Sequence, residues 1–292
     1  MKILITGATG NVGIDTIDSL FSIKNNHEII AGVRNIEKSK KILSKYNELS
    51  YRNFDFENKN TFEKALENID IIFVLRPPNI ANVNKYFLTL FDMMQKKQVS
   101  KIIFLSIQGV ENQKNIPHYK IEKAILNYKF DYVFLRPSYF MQNLTTTLLK
   151  EIKEEKKIFI PSGKLKFNWV DTKDIELVGA KIIQDFENYK NNAYEITGSE
   201  FEDFNYVADL LTRTLGFKIK YESPNLLKFF IQKKKYGIKP MMIFVMIMLH
   251  YLPRFGKNEN NFSDTVRKIT DKEPTKLLEY IKREQEKIID KV

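Results

Sequence analysis

At 292 residues, with 43% hydrophobic and 28% charged side chains, the chain has the composition of an ordinary soluble globular protein and is long enough for one large domain or two lobes. It has no cysteine, which excludes disulfides, thiolate nucleophiles and thiolate metal sites and fits a reducing compartment. Only eight of the 47 basic residues behind the net charge of +11 are arginine, and no aromatic residues interleave the lysine clusters. That pattern reads as a solvated surface that favours anionic cofactors, and it argues against a nucleic-acid groove.

The first predicted elements lie in MKILITGATGNVG. Ile3-Leu4-Ile5 is a short apolar run of strand length, and Ile14, Ile17, Leu20 and Phe21 recur at helical spacing. Between them stand Gly7, Gly10 and Gly13. A strand, a glycine turn and a helix form the first βα unit of a dinucleotide-binding fold. The spacing Gly7-x-x-Gly10-x-x-Gly13 departs from G-x-G-x-x-G, but the demands are the same: a tight turn, close approach of backbone to pyrophosphate, and a helix packed closely on the strand. Gly7, Thr9, Gly10, Asn11 and Val12 are the expected phosphate-binding residues, with the helix N-terminus supplying free N–H groups.

The second strand, Glu28–Val33, runs into Arg34 and Asn35, with Lys38 one helical turn further on. An NAD site would place Asp or Glu at this strand end to hold the ribose 2′-hydroxyl. An arginine fork instead suits a 2′-phosphate. NADPH is therefore the expected cofactor and NADH the second choice. Further β-like runs at Ile69–Leu75, Lys101–Ser106 and Tyr132–Arg136 alternate with helical patterns at Thr61–Glu67, Asn84–Lys97 and Lys120–Lys129. The reading is α/β: a Rossmann-like doubly wound parallel sheet with a smaller C-terminal substrate lobe. The dinucleotide-binding domain is placed at 1–155 and the rest at 156–292. Within the latter, 168–198 packs back on the first domain. Ala193–Thr197 reads as a strand, and Phe204–Leu215 as a helix.

Together with TGATGNVG and VRN, later segments resemble the NmrA-like branch of the atypical short-chain dehydrogenases/reductases. They are FDFENKNTFEKAL, IDIIFVL, KIIFLSIQGV, LRPSYFMQN, WVDTKDI, NNAYEITG and FSDTVRKITDKEPTKLLEYI, so the likeness runs almost to the C-terminus. The resemblance implies an adenine contact at Asp55 and Phe56. It also implies contacts at Leu75 and Arg76 after the fourth strand, at Ser106 after the fifth, and at Pro137, Tyr139 and Phe140 beside the nicotinamide. The implied relatives are NAD(P)H-dependent quinone reductases, azo-dye reductases and redox-sensing regulators.

The catalytic position reads in two registers. Tyr119-Lys120-Ile121-Glu122-Lys123 matches the Tyr-x-x-x-Lys pair of short-chain dehydrogenases, with Ser106 upstream; lysine there tunes the tyrosine as a proton donor. Family spacing back from LRP instead selects His118 and Glu122, with His118 in place of a ribose-binding lysine. His118, Tyr119 and Lys123 are all retained as candidates, with the His118 register preferred for cofactor contact. His27, His118 and His250 are widely separated in sequence, so no metal site is expected.

The segment MMIFVMIMLHYLPRF holds four of the eight methionines and reads as core or as a flexible lid over a flat, apolar acceptor. Its unbroken apolar run, Met241 to Leu249, is far short of the ~20 residues that span a bilayer. The resulting expectation is a cytoplasmic, NADPH-preferring reductase that passes hydride to a small, flat, apolar electrophile such as a quinone or azo compound. It has no nucleic-acid or membrane partner. Homodimerisation and a protein partner stay open, and the alternative is a non-catalytic NADP(H)-binding sensor acting through such a partner.

Overall fold

The computed structural model describes residues 1–23, 26–256 and 260–289. The first half of the chain alternates strand and helix: β1 (Lys2–Thr6), α1 (Asn11–Ser22), β2 (Glu28–Val33), α2 (Ile36–Ile42), β3 (Ser50–Asn53), α3 (Phe62–Ala65), β4 (Ile71–Val74), α4 (Thr89–Lys96), β5 (Lys101–Leu105), α5 (Pro117–Asn127) and β6 (Asp131–Pro137). Next come β7 (Tyr139–Phe140), α6 (Leu149–Glu155), β8 (Lys157–Phe159) and β9 (Phe167–Val170). They are followed by α7 (Thr172–Gln184), α8 (Phe186–Tyr189) and β10 (Asn192–Ile196). The remainder is β11 (Glu200–Glu202), α9 (Phe204–Leu215), β12 (Lys220–Glu222), α10 (Leu226–Lys235), α11 (Pro240–His250), α12 (Thr265–Thr270) and α13 (Leu277–Ile288).

The chain divides into two compact units. The first comprises Met1–Pro137, Lys173–Ile196 and Thr265–Asp271; the second comprises Ser138–Thr172, Thr197–Asp264 and the chain from Lys272 onward. The first unit is built on a seven-stranded, all-parallel sheet in the order β10-β6-β5-β4-β1-β2-β3. The order reverses between β1 and β4. In a doubly wound sheet the crevice beyond the strand ends at that reversal is where a ligand binds.

The strands read as continuous apolar runs because both faces are covered. Ile3, Ile5, Ile71, Phe73 and Ile103 bury one side, and Leu4, Ile72, Val74, Ile102 and Phe104 the other. The second set forms one core with Phe54, Phe56, Phe62, Phe87, Phe91, Ile121 and Ile125.

The second unit holds a three-stranded sheet, β11-β9-β7, and a parallel pair, β12-β8. Its core gathers Met141, Leu144, Trp169, Phe204, Leu211, Phe229, Met246 and Tyr280. Lys233 of α10 and Glu151 of α6 form an ion pair inside it, with both side chains buried. Removing either partner would strand a buried charge, at a cost of about 3–5 kcal/mol.

Candidate dinucleotide-binding site

The three glycines after β1 do three different jobs. Gly7 has φ +61°, a left-handed conformation that disfavours a side chain, and a Cβ there would also meet the Leu75 side chain at 3.3 Å. A Cβ on Gly13 would lie 2.4 Å from the Gly7 carbonyl oxygen and 2.8 Å from the Ala8 Cα, so this glycine lets α1 sit directly on the loop. Gly10 closes the turn by donating its N–H to the Gly7 carbonyl at 2.9 Å. A Cβ on Gly10 would meet only that oxygen, at 3.3 Å, and otherwise open space. No side chain caps α1, and the first bond at its start is Ile14 N–H to Gly10 O at 2.9 Å. The amides of Asn11 and Val12 therefore stand at an open, positive helix end.

Thr6, the last residue of β1, ties the two sides of the reversal together. Its buried hydroxyl accepts from Leu75 N–H at 2.9 Å and donates to the Leu75 carbonyl at 3.3 Å. A threonine at the end of an apolar strand next to a glycine turn was the available signal.

At the end of β2, Arg34 is exposed and its guanidinium has no partner among the described residues. Asn35 caps α2 by accepting from the Lys38 N–H at 2.9 Å, and the Lys38 side chain is exposed. Asp55, half-buried beyond β3, accepts from Glu57 N–H at 3.0 Å through one oxygen only. The Phe56 ring packs edge-on against Phe54 at 5.0 Å, inside the core, so its main chain is what it can offer a ligand.

Helix α5 presents its candidates on two sides. His118 accepts from Arg76 Nε at 3.4 Å, and Arg76 also donates to the carbonyls of Pro77, Pro78 and Ile80 at 3.1, 3.2 and 3.0 Å. Burial and then the Arg76 charge hold the imidazole down at about 3, far below its ordinary 6.5. His118 is thus neutral at physiological pH, with Nε2 as acceptor, and it cannot replace a lysine as a charge.

One turn on, Glu122 is buried and binds Arg136 of β6 in a two-pronged pair at 3.1 and 2.7 Å; Arg136 also reaches Glu111 at 3.2 Å. Tyr119 and Lys123 are rotated one residue away. Lys123 is exposed, and its ammonium lies 5.5 Å from the centre of the Tyr119 ring, over its face and away from hydrogen-bond reach of the hydroxyl.

Ser106, buried at the end of β5, donates its N–H to Leu135 O at 2.7 Å, while its hydroxyl has no partner among the described residues. Pro137 ends β6 and accepts from Gln108 N–H at 2.9 Å. Tyr139 and Phe140 form β7 in the second unit. The Tyr139 hydroxyl is spoken for: it lies 2.8 Å from His250 Nε2, whose Nδ1 is 2.7 Å from the Met246 carbonyl. Since only a donor can face that carbonyl, the tyrosine donates to the histidine.

Among the described residues, no group of three or more His, Asp or Glu side chains converges as a metal ion would need. No described helix is long and apolar enough to cross a membrane.

The family model for the NmrA-like family matches residues 1–282. A curated relative, prestalk A differentiation protein A of Dictyostelium discoideum, is 28% identical over 76% of this chain and 72% of its own length. Triphenylmethane reductase of Citrobacter sp., solved with NADP(H), superposes with a TM-score of 0.82 at 21% identity, covering 97% of this chain and 99% of that one. The NADPH-dependent quinone oxidoreductase of Escherichia coli, solved with NADPH, gives 0.81 at 19% identity, covering 96% of this chain and 99% of that one.

Proposed function

The chain belongs to the NmrA-like family, and on that premise we propose that it is an NADPH-preferring oxidoreductase that passes hydride to a small, flat electrophile such as a quinone or an azo compound. The observation that carries the cofactor reading is the set of anion-seeking groups around the β1–β4 reversal. The Gly7–Gly13 loop leaves open space at Gly10, the α1 amides are uncapped, and Arg34 stands unpaired where a carboxylate would select NAD. The orphaned Ser106 hydroxyl supports the same fit, since a buried polar group without a partner costs free energy until a hydrogen-bonding group meets it.

The nicotinamide cofactor supplies the hydride when bound. The α1 amides would hold its pyrophosphate, Arg34 and Lys38 its 2′-phosphate, and Asp55 with the Phe56 main chain its adenine. Ser106 and His118 would line the reactive end. His118, neutral and oriented by Arg76, positions by hydrogen bonding. Tyr119 lacks a lysine bonded to its hydroxyl, so the site is ill-suited to reducing ketones, which need a general acid. A quinone accepts hydride with less such help.

That same missing pair favours a second reading, a sensor that binds NADP(H) and signals to a protein. Steady-state oxidation of NADPH against a panel of quinones and azo dyes tests the choice. Turnover with any acceptor supports the enzyme; tight NADPH binding without turnover supports the sensor.

A further inference from the structure

Between Glu222 and Glu259 the sequence runs for 36 residues without an acidic side chain while carrying seven basic ones, of which Lys228 and the buried Lys233 are paired with Glu222 and Glu151. This stretch contains α10 and α11. Helix α11, PMMIFVMIMLH, is apolar on every side, a composition that ordinarily means burial all round. Yet only Ile243, Met246 and His250 are buried. Met241 is 70% exposed and Phe244 56%, and Met248, Leu249, Leu252 and Phe255 are exposed as well. Met241, Phe244 and Met248 follow at steps of three and four residues along α11, so they form one stripe. Lys234 and Lys235, at the end of α10, and Lys239, just before α11, are exposed and have no ion-pair partner among the described residues.

We propose that this face of the second unit docks on an anionic lipid bilayer, with α11 lying in the interface. An apolar stripe with lysines at its border is the pattern of a helix that rests among acyl chains while its cations reach the phosphates. With 11 residues, α11 is too short to span. Charge also selects the occupant. A second copy meeting this face would set one basic, acid-free segment against another, whereas anionic headgroups complement it. A bilayer dissolves apolar acceptors too, but docking stands apart from the proposed reaction because vesicle binding is measured without acceptor or cofactor.

The test is co-sedimentation of the full chain with vesicles of phosphatidylcholine, with and without about one third phosphatidylglycerol. The protein should pellet with the anionic vesicles and stay in solution with the neutral ones. Replacing Met241, Phe244 and Met248 together by Ser should weaken vesicle binding at least about tenfold. Lys234→Gln, Lys235→Gln and Lys239→Gln combined should weaken it by a similar factor on anionic vesicles. NADPH affinity and circular dichroism should be unchanged in both variants, which separates lost docking from lost folding. Absence of wild-type binding to anionic vesicles overturns the proposal, as does unchanged binding of the Ser variant. So does a wild-type dimer that ignores vesicles and that the Ser variant dissociates, because the face would then be a self-interface.

Discussion

The β1–α1 loop and helix α5 lie in one unit and both contribute to the candidate site, yet they carry their information differently. In the loop the work is done by main chain. Gly7 takes a conformation closed to most residues, and Gly13 admits a helix where a Cβ would come within 2.4 Å of a carbonyl oxygen. Steric exclusion of that kind leaves glycine as the only fitting residue, so composition alone reveals it. On α5 the work is done by side chains one residue apart on a helix, and what selects between them is which arginine lies opposite. Arg76 and Arg136 face His118 and Glu122; Lys123 instead lies over the Tyr119 ring. Main-chain sites are therefore readable locally, whereas side-chain sites need their partners.

The largest expected effect breaks the loop itself. Gly13→Val should abolish NADPH binding and lower the melting temperature, because the loop and α1 must separate. Gly10→Val should abolish binding while costing the melt much less, since the Cβ of residue 10 would press only on the Gly7 carbonyl oxygen, at 3.3 Å. Equal loss of stability in the two would contradict the division of labour between these glycines. Next in size, Arg34→Ala should weaken NADPH binding by about 1.5–3 kcal/mol, the range for losing a charged hydrogen-bond partner. NADH binding should hardly move. Equal wild-type affinity for the two cofactors, by titration, would remove Arg34 from the site.

Helix α5 gives smaller effects. His118 is depressed to about 3 in the folded chain against 6.5 ordinarily, so its stabilising contribution is complete above pH 6.5 and declines as pH falls toward 3. His250, lowered to about 4 by burial, acts in the same direction. Each should cost up to about 2 kcal/mol between pH 7 and pH 5, where the unfolded histidine takes a proton that the folded one refuses. Denaturant melts of His118→Gln across that range should show a shallower loss than wild type; an identical slope would mean that the imidazole is protonated in the folded chain. The smallest effect is expected from Tyr119→Phe, under about threefold in turnover with a quinone. A general acid would instead lose ~10²–10⁴-fold, and a loss of that size with His118→Ala nearly silent would restore the Tyr119/Lys123 register.

The same logic explains which elements were legible. Strand β2 and helix α9 have the ends read from sequence, Glu28–Val33 and Phe204–Leu215, because each carries a regular pattern between polar breaks. Strand β3, SYRN, left no apolar run because it lies at the sheet's edge, where burial is partial. Helix α5 begins at Pro117, three residues ahead of the expected start, because a proline at the first helical position needs no N–H partner. The stretch Asn84–Lys97, read as one helix, opens with a π-helical turn at Asn84–Leu88 before the α-helix proper. Periodicity in a window cannot resolve that change of pitch.

By itself, the sequence determined the alternation of strand and helix, the glycine loop and the basic end of β2. Each follows from the spacing of apolar residues, or from a residue type that only one backbone geometry accepts. Tertiary structure decided the rest. It put Thr6 against Leu75, gave Glu122 to Arg136 and made His118 a neutral acceptor for Arg76. It bound the Tyr139 hydroxyl to His250 and left half of α11 uncovered. These outcomes depend on residues as many as 111 positions apart meeting across a fold, and on how far each group is withdrawn from water, which no local pattern encodes.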